Sequence, residues 1–152
     1  MDEIYLPTHE IVLGLHDAVL DVSGGRPGAL HPEMIDGAIK RPQTYMAYTD
    51  DYNLHTVCAL LVDSLARHHT FQDGNKRTAL MTMLFTYRAN SVYLDFSLLM
   101  NEEYEAFVLE VVNKRPSIEE ISQRLRGLSD KYRKKGVDKF LEQLRDVIRI
   151  SS

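Results

Sequence analysis

His69-Thr70-Phe71-Gln72-Asp73-Gly74-Asn75-Lys76-Arg77 (HTFQDGNKR) joins the two most apolar segments of the chain. NLHTVCALLVDSLARH (Asn53 to His68) precedes it, and TALMTMLFTYRAN (Thr78 to Asn90) follows it. Both flanks are rich in Leu, Met and Ala and free of Gly and Pro. They predict two helices that are apolar on nearly all sides and therefore buried among others. Within nine positions the joint carries a histidine, a carboxylate, a glycine, an amide, a lysine and an arginine. Polar groups buried between core helices are costly unless partnered. The stretch therefore reads as a candidate site at the joint of a central antiparallel helix pair.

Working outward, the rest of the chain also predicts helices. Thr8 caps a first helix whose apolar stripe is Ile11, Leu15, Val19 and Val22. Ser23-Gly24-Gly25-Arg26-Pro27-Gly28 ends it in a loop. His31-Pro32-Glu33 opens a second, short helix, with Pro32 at its first position and Arg41-Pro42 ending it. Gln43 to Tyr48 is expected to be extended or a helical turn, and Asn53 caps the next helix. Val92 to Phe96 reads as a short strand or an extended lead. Met100 to Asn113 predicts a helix burying Tyr104, Phe107, Val108 and Val111. Ser117-Ile118-Glu119-Glu120 is a capping box for a helix to about Arg126, with Gly127 as its stop. Val137 to Ile150 predicts a further amphipathic helix. The fold class is all-α, with seven or so helices. The domain reading is a catalytic unit over 1–126 and a helical extension over 127–152.

At 152 residues the chain has enough length for one real core. Apolar residues make up 44% and charged residues 26%, ordinary values for a globular domain. No window approaches a membrane span, and MDEIYLPTHE lacks the pattern of a signal peptide. One cysteine, Cys58, excludes an internal disulfide and a multi-cysteine zinc site. The expectation is a cytoplasmic protein with one buried thiol. The net charge of −4 is uneven: Lys114 to Arg149 holds eleven Lys/Arg against six Asp/Glu. Such a basic segment usually forms a solvated helical face, and it also suits an acidic partner.

The motif's chemistry follows from its place at a helix start. Unpaired N–H groups and the partial positive charge of a helix N-terminus suit a phosphate. Gly74 lets backbone approach an anion closely, and Asn75 offers an amide donor. Lys76 and Arg77 stand where positive charge opposes the helix dipole, a placement that makes sense if an anion lies between them. Asp73 beside a phosphate suits Mg²⁺, which uses one or two carboxylates plus phosphate oxygens. His69 brings an imidazole, the side chain suited to accepting a hydroxyl proton near neutral pH. Phe71 alternates with polar neighbours and is expected to anchor the loop in the core. The chain lacks G-x-x-x-x-G-K-(S/T) and H-E-x-x-H, so neither a P-loop enzyme nor a zincin is supported.

HTFQDGNKR resembles the Fic/Doc family motif H-x-F-x-(D/E)-(G/A)-N-x-R at every fixed position. Leu15-His16-Asp17-Ala18, Gly24-Gly25-Arg26-Pro27-Gly28, Ala66-Arg67 and Lys76-Arg77-Thr78-Ala79-Leu80 extend the resemblance over roughly residues 10 to 126. It implies a Fic/Doc-like helical bundle, ATP and Mg²⁺ as cofactors, and transfer to a protein hydroxyl. His69 is then the base, Asp73 the metal ligand or acid, and Arg67, Gly74, Asn75, Lys76 and Arg77 the phosphate holders. Tyr45-Met46-Ala47-Tyr48 falls where family members carry a flap that holds the target as an added strand. Fic enzymes, which transfer AMP, have glycine at the position of Lys76 and a second arginine at that of Leu80. Lysine and an apolar residue there resemble the Doc branch of death-on-curing toxins, which transfers the γ-phosphoryl group. Gly74 departs from the alanine common in Doc proteins and keeps AMP transfer as the alternative.

The resemblance also implies elongation factor Tu as target, arrest of translation, and a cognate antitoxin on a separate chain. Nucleic acid would be met only through that antitoxin, and no membrane is involved. The inhibitory pattern (S/T)-x-x-x-E-(G/N) is absent from the chain. An antitoxin-binding corepressor module without turnover is the reading of a different class, and intact His69, Asp73 and Asn75 speak against it.

Overall fold

The computed structural model describes residues 3–95 and 102–133. Six helices make up the described part: α1 (His9–Ser23), α2 (Glu33–Thr49), α3 (Leu54–Arg67), α4 (Asn75–Ala89), α5 (Glu102–Lys114) and α6 (Ile118–Tyr132). Only isolated bridges, Ala29–Phe71 and Leu94–Arg133, add β pairing among the described residues. The all-α expectation holds. Val137 to Ile150, Phe96 and Met100 lie outside the described residues.

The architecture is built around α3, which packs against α4, α6, α2 and α5. Ten of its fourteen residues are buried, as a helix apolar all round requires. Asn53 caps it, its Oδ1 accepting from the N–H groups of His55 and Thr56 at 2.9 and 3.4 Å. The α3–α4 pair is antiparallel: His55 in the first turn of α3 meets the Tyr87 hydroxyl near the end of α4 at 2.9 Å. The core gathers Phe71, Met83, Tyr87, Tyr104, Phe107, Ile121 and Leu125, all fully buried. The expected α5 face of Tyr104, Phe107, Val108 and Val111 is buried as read.

The Ser117 capping box forms. Ser117 Oγ accepts the Glu120 N–H at 3.2 Å, and Glu120 Oε1 accepts the Ser117 N–H at 3.2 Å. Gly127 does not stop α6, which continues to Tyr132 across the expected boundary at 126/127. The reason is that Gly127 lies on the solvent side, while Leu128 and Ser129 beyond it are buried.

Two further readings change. Pro42 does not end α2. It lies in a buried stripe with Ile35, Ala38 and Met46, spaced as successive turns. Burying four such side chains, at about 1.5–3 kcal/mol for each large one, offsets the roughly 3 kcal/mol that an interior proline costs. Of the expected α1 stripe Ile11, Leu15, Val19 and Val22, Val19 is buried, Ile11 and Leu15 are half-buried and Val22 is 90% exposed, while Val12 and His16 are buried beside Val19. The face is rotated because a histidine takes a core position. Val92 to Asp95 is extended, and the Asp95 N–H donates to the Tyr132 carbonyl at 3.1 Å.

Candidate active site

Residues 68–74 form the loop between the two central helices. Thr70 and Phe71 are buried, whereas His69, Gln72 and Asp73 are exposed. Phe71 anchors the loop as expected, but its neighbour Thr70 is buried with it, so exposure does not alternate residue by residue. An extended segment at Gly28–His31 runs beside it. The Leu30 and His31 N–H groups donate to the Thr70 carbonyl at 2.9 and 3.1 Å, and the Gln72 N–H donates to the Gly28 carbonyl at 3.2 Å.

Asn75 closes the loop from inside. Its Oδ1 accepts the Phe71 N–H at 3.0 Å, and its Nδ2 donates to the Phe71 carbonyl at 2.9 Å. A primary amide has two N–H groups, so one donor remains for a ligand. Asn75 is thus first a clasp, and only half of its amide is free for a phosphate. Gly74 occupies the N-cap of α4 at φ +81°, in the left-handed region, and supplies no side-chain cap. A side chain at this φ is strained, which is a direct reason for glycine here.

Helix α4 therefore starts unlike a structural helix. No side chain caps it, no carboxylate stands in its first turn, and Lys76 and Arg77 are exposed. Among the described residues neither cation takes part in an ion pair. The unpaired N–H groups of the first turn, the dipole and two free cations concentrate positive potential at one point.

Asp73 sits at the edge of this point. Its carbonyl accepts a hydrogen bond from His16 Nε2 at 2.8 Å, and its Oδ2 accepts the Arg26 N–H at 2.7 Å. Its Oδ1 has no hydrogen bond among the described residues. A carboxylate with one oxygen held and one open fits a Mg²⁺ that draws its remaining oxygens from phosphates and water. No group of three or more His, Cys, Asp or Glu side chains gathers among the described residues. A metal dependent on substrate oxygens is the kind this donor set can hold.

Arg67, the last residue of α3, is tied back. Its Nη1 bonds Asp63 Oδ1 at 3.0 Å, while Arg41 from α2 bonds Asp63 Oδ2 at 2.7 Å and Ser64 Oγ at 3.0 Å. Two guanidiniums share one buried carboxylate, so a net positive charge remains beside the loop. Arg41 and Asp63 escaped the sequence reading as site residues, and Arg26, visible in the Gly24-Gly25-Arg26-Pro27-Gly28 stretch, had no role read for it, because tertiary contact is what joins Arg41 and Arg26 to this loop. His16 was visible in the Leu15-His16-Asp17-Ala18 stretch, but no role could be read for it.

The expected flap is not brought to the site. Tyr45 to Tyr48 belong to the last turns of α2, and their backbone groups serve that helix and offer no strand edge. Met46 packs on Val57 and Leu61, and the Tyr45 hydroxyl donates to Asp51 at 2.8 Å. Val57 and Leu61 lie about 15 and 9 Å of helical rise before the end of α3 at Arg67. The segment that does lie along the loop is Gly28–His31.

This is a helical scaffold presenting a cationic helix start, a half-committed carboxylate and an exposed histidine on one loop. The Fic/DOC family profile matches residues 6–86, and the chain belongs to that family. It is 40% identical over 83 residues to Protein kinase doc of Escherichia phage P1, covering 55% of this chain and 66% of that protein. It is 33% identical over 99 residues to Toxin Doc of Mycolicibacterium smegmatis, covering 63% of this chain and 74% of that protein. Both relatives are Doc proteins, which supports the Doc branch. No helix among the described residues is long and apolar enough to cross a membrane.

Proposed function

We propose that this chain is a Doc-type toxin that moves the γ-phosphoryl group of ATP onto a serine or threonine hydroxyl of a protein, with its antitoxin on a separate chain. The observation that carries this reading is the start of α4: uncapped, cationic and unpaired, beside an exposed His69 and an open Asp73 oxygen. In the proposed step the target hydroxyl oxygen attacks the γ-phosphorus. The bond to the β–γ bridging oxygen breaks, and ADP leaves. His69 takes the hydroxyl proton. Lys76, Arg77, the free Asn75 N–H and the α4 backbone hold phosphate oxygens, work that is mostly positioning and charge stabilisation. Arg67, and through Asp63 also Arg41, adds charge at the loop's entry. Mg²⁺ held by Asp73 would neutralise phosphate charge when bound.

Two residues favour phosphoryl over AMP transfer. Leu80 is only 5% exposed and packs in the core, so α4 offers no second arginine for outer phosphates. Lys76 stands where Fic enzymes have glycine. Elongation factor Tu as target, translation arrest and action in the cytoplasm follow from the resemblance and belong to the same proposal. The deciding experiment supplies γ-labelled and α-labelled ATP in parallel to the purified chain with a bacterial extract or purified elongation factor Tu. Label arriving from the γ position alone supports the proposal. Label from the α position alone overturns it in favour of AMP transfer. No transfer, with tight antitoxin binding retained, leaves the corepressor reading.

A further inference from the structure

His16 is 2% exposed, a rare setting for a histidine on a surface helix. Its ring lies flat on Phe71, with centroids 3.8 Å apart and planes 9° from parallel. Its Nε2 is 2.8 Å from the Asp73 carbonyl oxygen. A carbonyl oxygen only accepts, so Nε2 carries the hydrogen. One residue of α1 thus grips the loop at two points, the Phe71 ring and the Asp73 main chain.

The turn after α1 grips the same residue from the other side. The Arg26 N–H donates to Asp73 Oδ2 at 2.7 Å. Gly25 comes close enough that a Cβ there would meet Asp73 Cβ at 3.1 Å and Leu20 Cδ2 at 2.9 Å. Gly25 also sits at φ +129°, a conformation that side chains rarely adopt. Both the backbone and the carboxylate of Asp73 are therefore fixed from α1 and its turn.

We propose that His16 and the Gly25–Arg26 turn are positioning elements that hold Asp73 with Oδ2 occupied and Oδ1 alone presented to the metal–phosphate group. The proposal rests on the reading of Asp73 as metal ligand given above. His16 touches no reacting atom; it acts through Asp73. Partners in this position commonly tune metal affinity or activity by about 10–100-fold.

The test compares wild type with His16→Phe, which keeps the stack and loses the donor, and His16→Gln, whose amide N–H reaches to the same place. The first readout is hydrogen exchange of the Arg26 amide, which needs neither nucleotide nor metal. The second is the Mg²⁺ concentration giving half-maximal transfer at saturating ATP. His16→Phe is expected to speed Arg26 exchange about ten-fold and to raise the Mg²⁺ midpoint about ten-fold. His16→Gln is expected to restore much of both.

Unchanged Arg26 exchange in a folded His16→Phe protein overturns the proposal. Equal losses in both variants at an unmoved Mg²⁺ midpoint do the same, leaving His16 as core packing. If His16→Phe does not fold, Gly25→Ala displaces the turn from the exposed side and is read by the same two measurements. Should the wild type transfer nothing from ATP, the Proposed function fails, while Arg26 exchange still decides whether His16 and the turn hold Asp73. Transfer that persists with an unmoved Mg²⁺ midpoint leaves the function standing and sinks this inference alone.

Discussion

The α3–α4 hairpin has a histidine at each end, and the two are treated in opposite ways. At the closed end His55 is half-buried and bonds the Tyr87 hydroxyl at 2.9 Å, and Asn53 satisfies the first donors of α3. Burial, helped by the charge of Arg126 and opposed by Asp130, pushes His55 below the ordinary histidine range. Burial also pushes the Cys58 thiol far up, so it is inert. At the open end His69 is exposed, α4 has no cap, and two cations stand unpaired in its first turn. Backbone chemistry is the same at both helix starts. One is capped by a side chain of the chain itself, and the other is not.

The sharpest way to break this contrast is His69→Ala. Under the proposed function it lowers transfer by about 10²–10⁴-fold, the usual worth of general-base help, and moves stability by less than about 0.5 kcal/mol. Initial rates and denaturant unfolding check the two halves, and full retained transfer would remove His69 from its role. Lys76→Glu probes the open helix start. It should cut transfer by about 10²-fold or more while stabilising the protein by about 0.3–1 kcal/mol, because a carboxylate there complements the dipole. A stability loss with intact transfer would mean that this end is ordinary surface. Asn53→Ala makes the mirror test at the closed end, where about 1 kcal/mol of stability should vanish with the transfer rate unmoved.

The smallest effect concerns pH. A histidine with a folded-state pKa below its unfolded value gains protons first in the unfolded chain. Its stabilising contribution is whole above the unfolded value of about 6.5 and is lost as pH falls from there through the folded value. Unfolding series from pH 7.5 to 5 should therefore show wild type losing more stability than His55→Gln, although the variant starts lower for want of the Tyr87 pairing. Parallel pH curves for the two proteins would show that His55 carries no such linkage.

Much of this fold was readable because its signals are local. Asn53, Thr8 and the Ser117–Glu120 box satisfy donors two or three residues away, so a short window contains the whole interaction. Helix α3 was visible because being apolar on every side has one physical outcome. The errors share a cause. Pro42, Gly127 and the outer end of the α1 stripe at Val22 were read by local rules, and distant packing overruled each one. Between the two states open to QTYMAY, extended or a helical turn, the same kind of packing decides: Met46 against Val57 and Leu61 commits it to helix.

At the site, residue types and order were legible, since HTFQDGNKR holds its imidazole, carboxylate and cations within nine positions. Engagement was not legible. Asn75 spends its carbonyl oxygen and one N–H on Phe71, Arg67 spends an N–H on Asp63, and Asp73 spends one oxygen on Arg26. By itself the sequence determined the all-α class, the buried hairpin and the polar loop that interrupts it, because these follow from periodicity and from the cost of burying charge. Only the tertiary structure decided which donors, acceptors and charges of that loop stay free. For Asp73 and for the Arg41–Asp63 pair that depends on α1, its Gly25–Arg26 turn and α2 arriving from elsewhere in the chain, and contacts across 22 to 57 positions leave no periodic trace in a sequence.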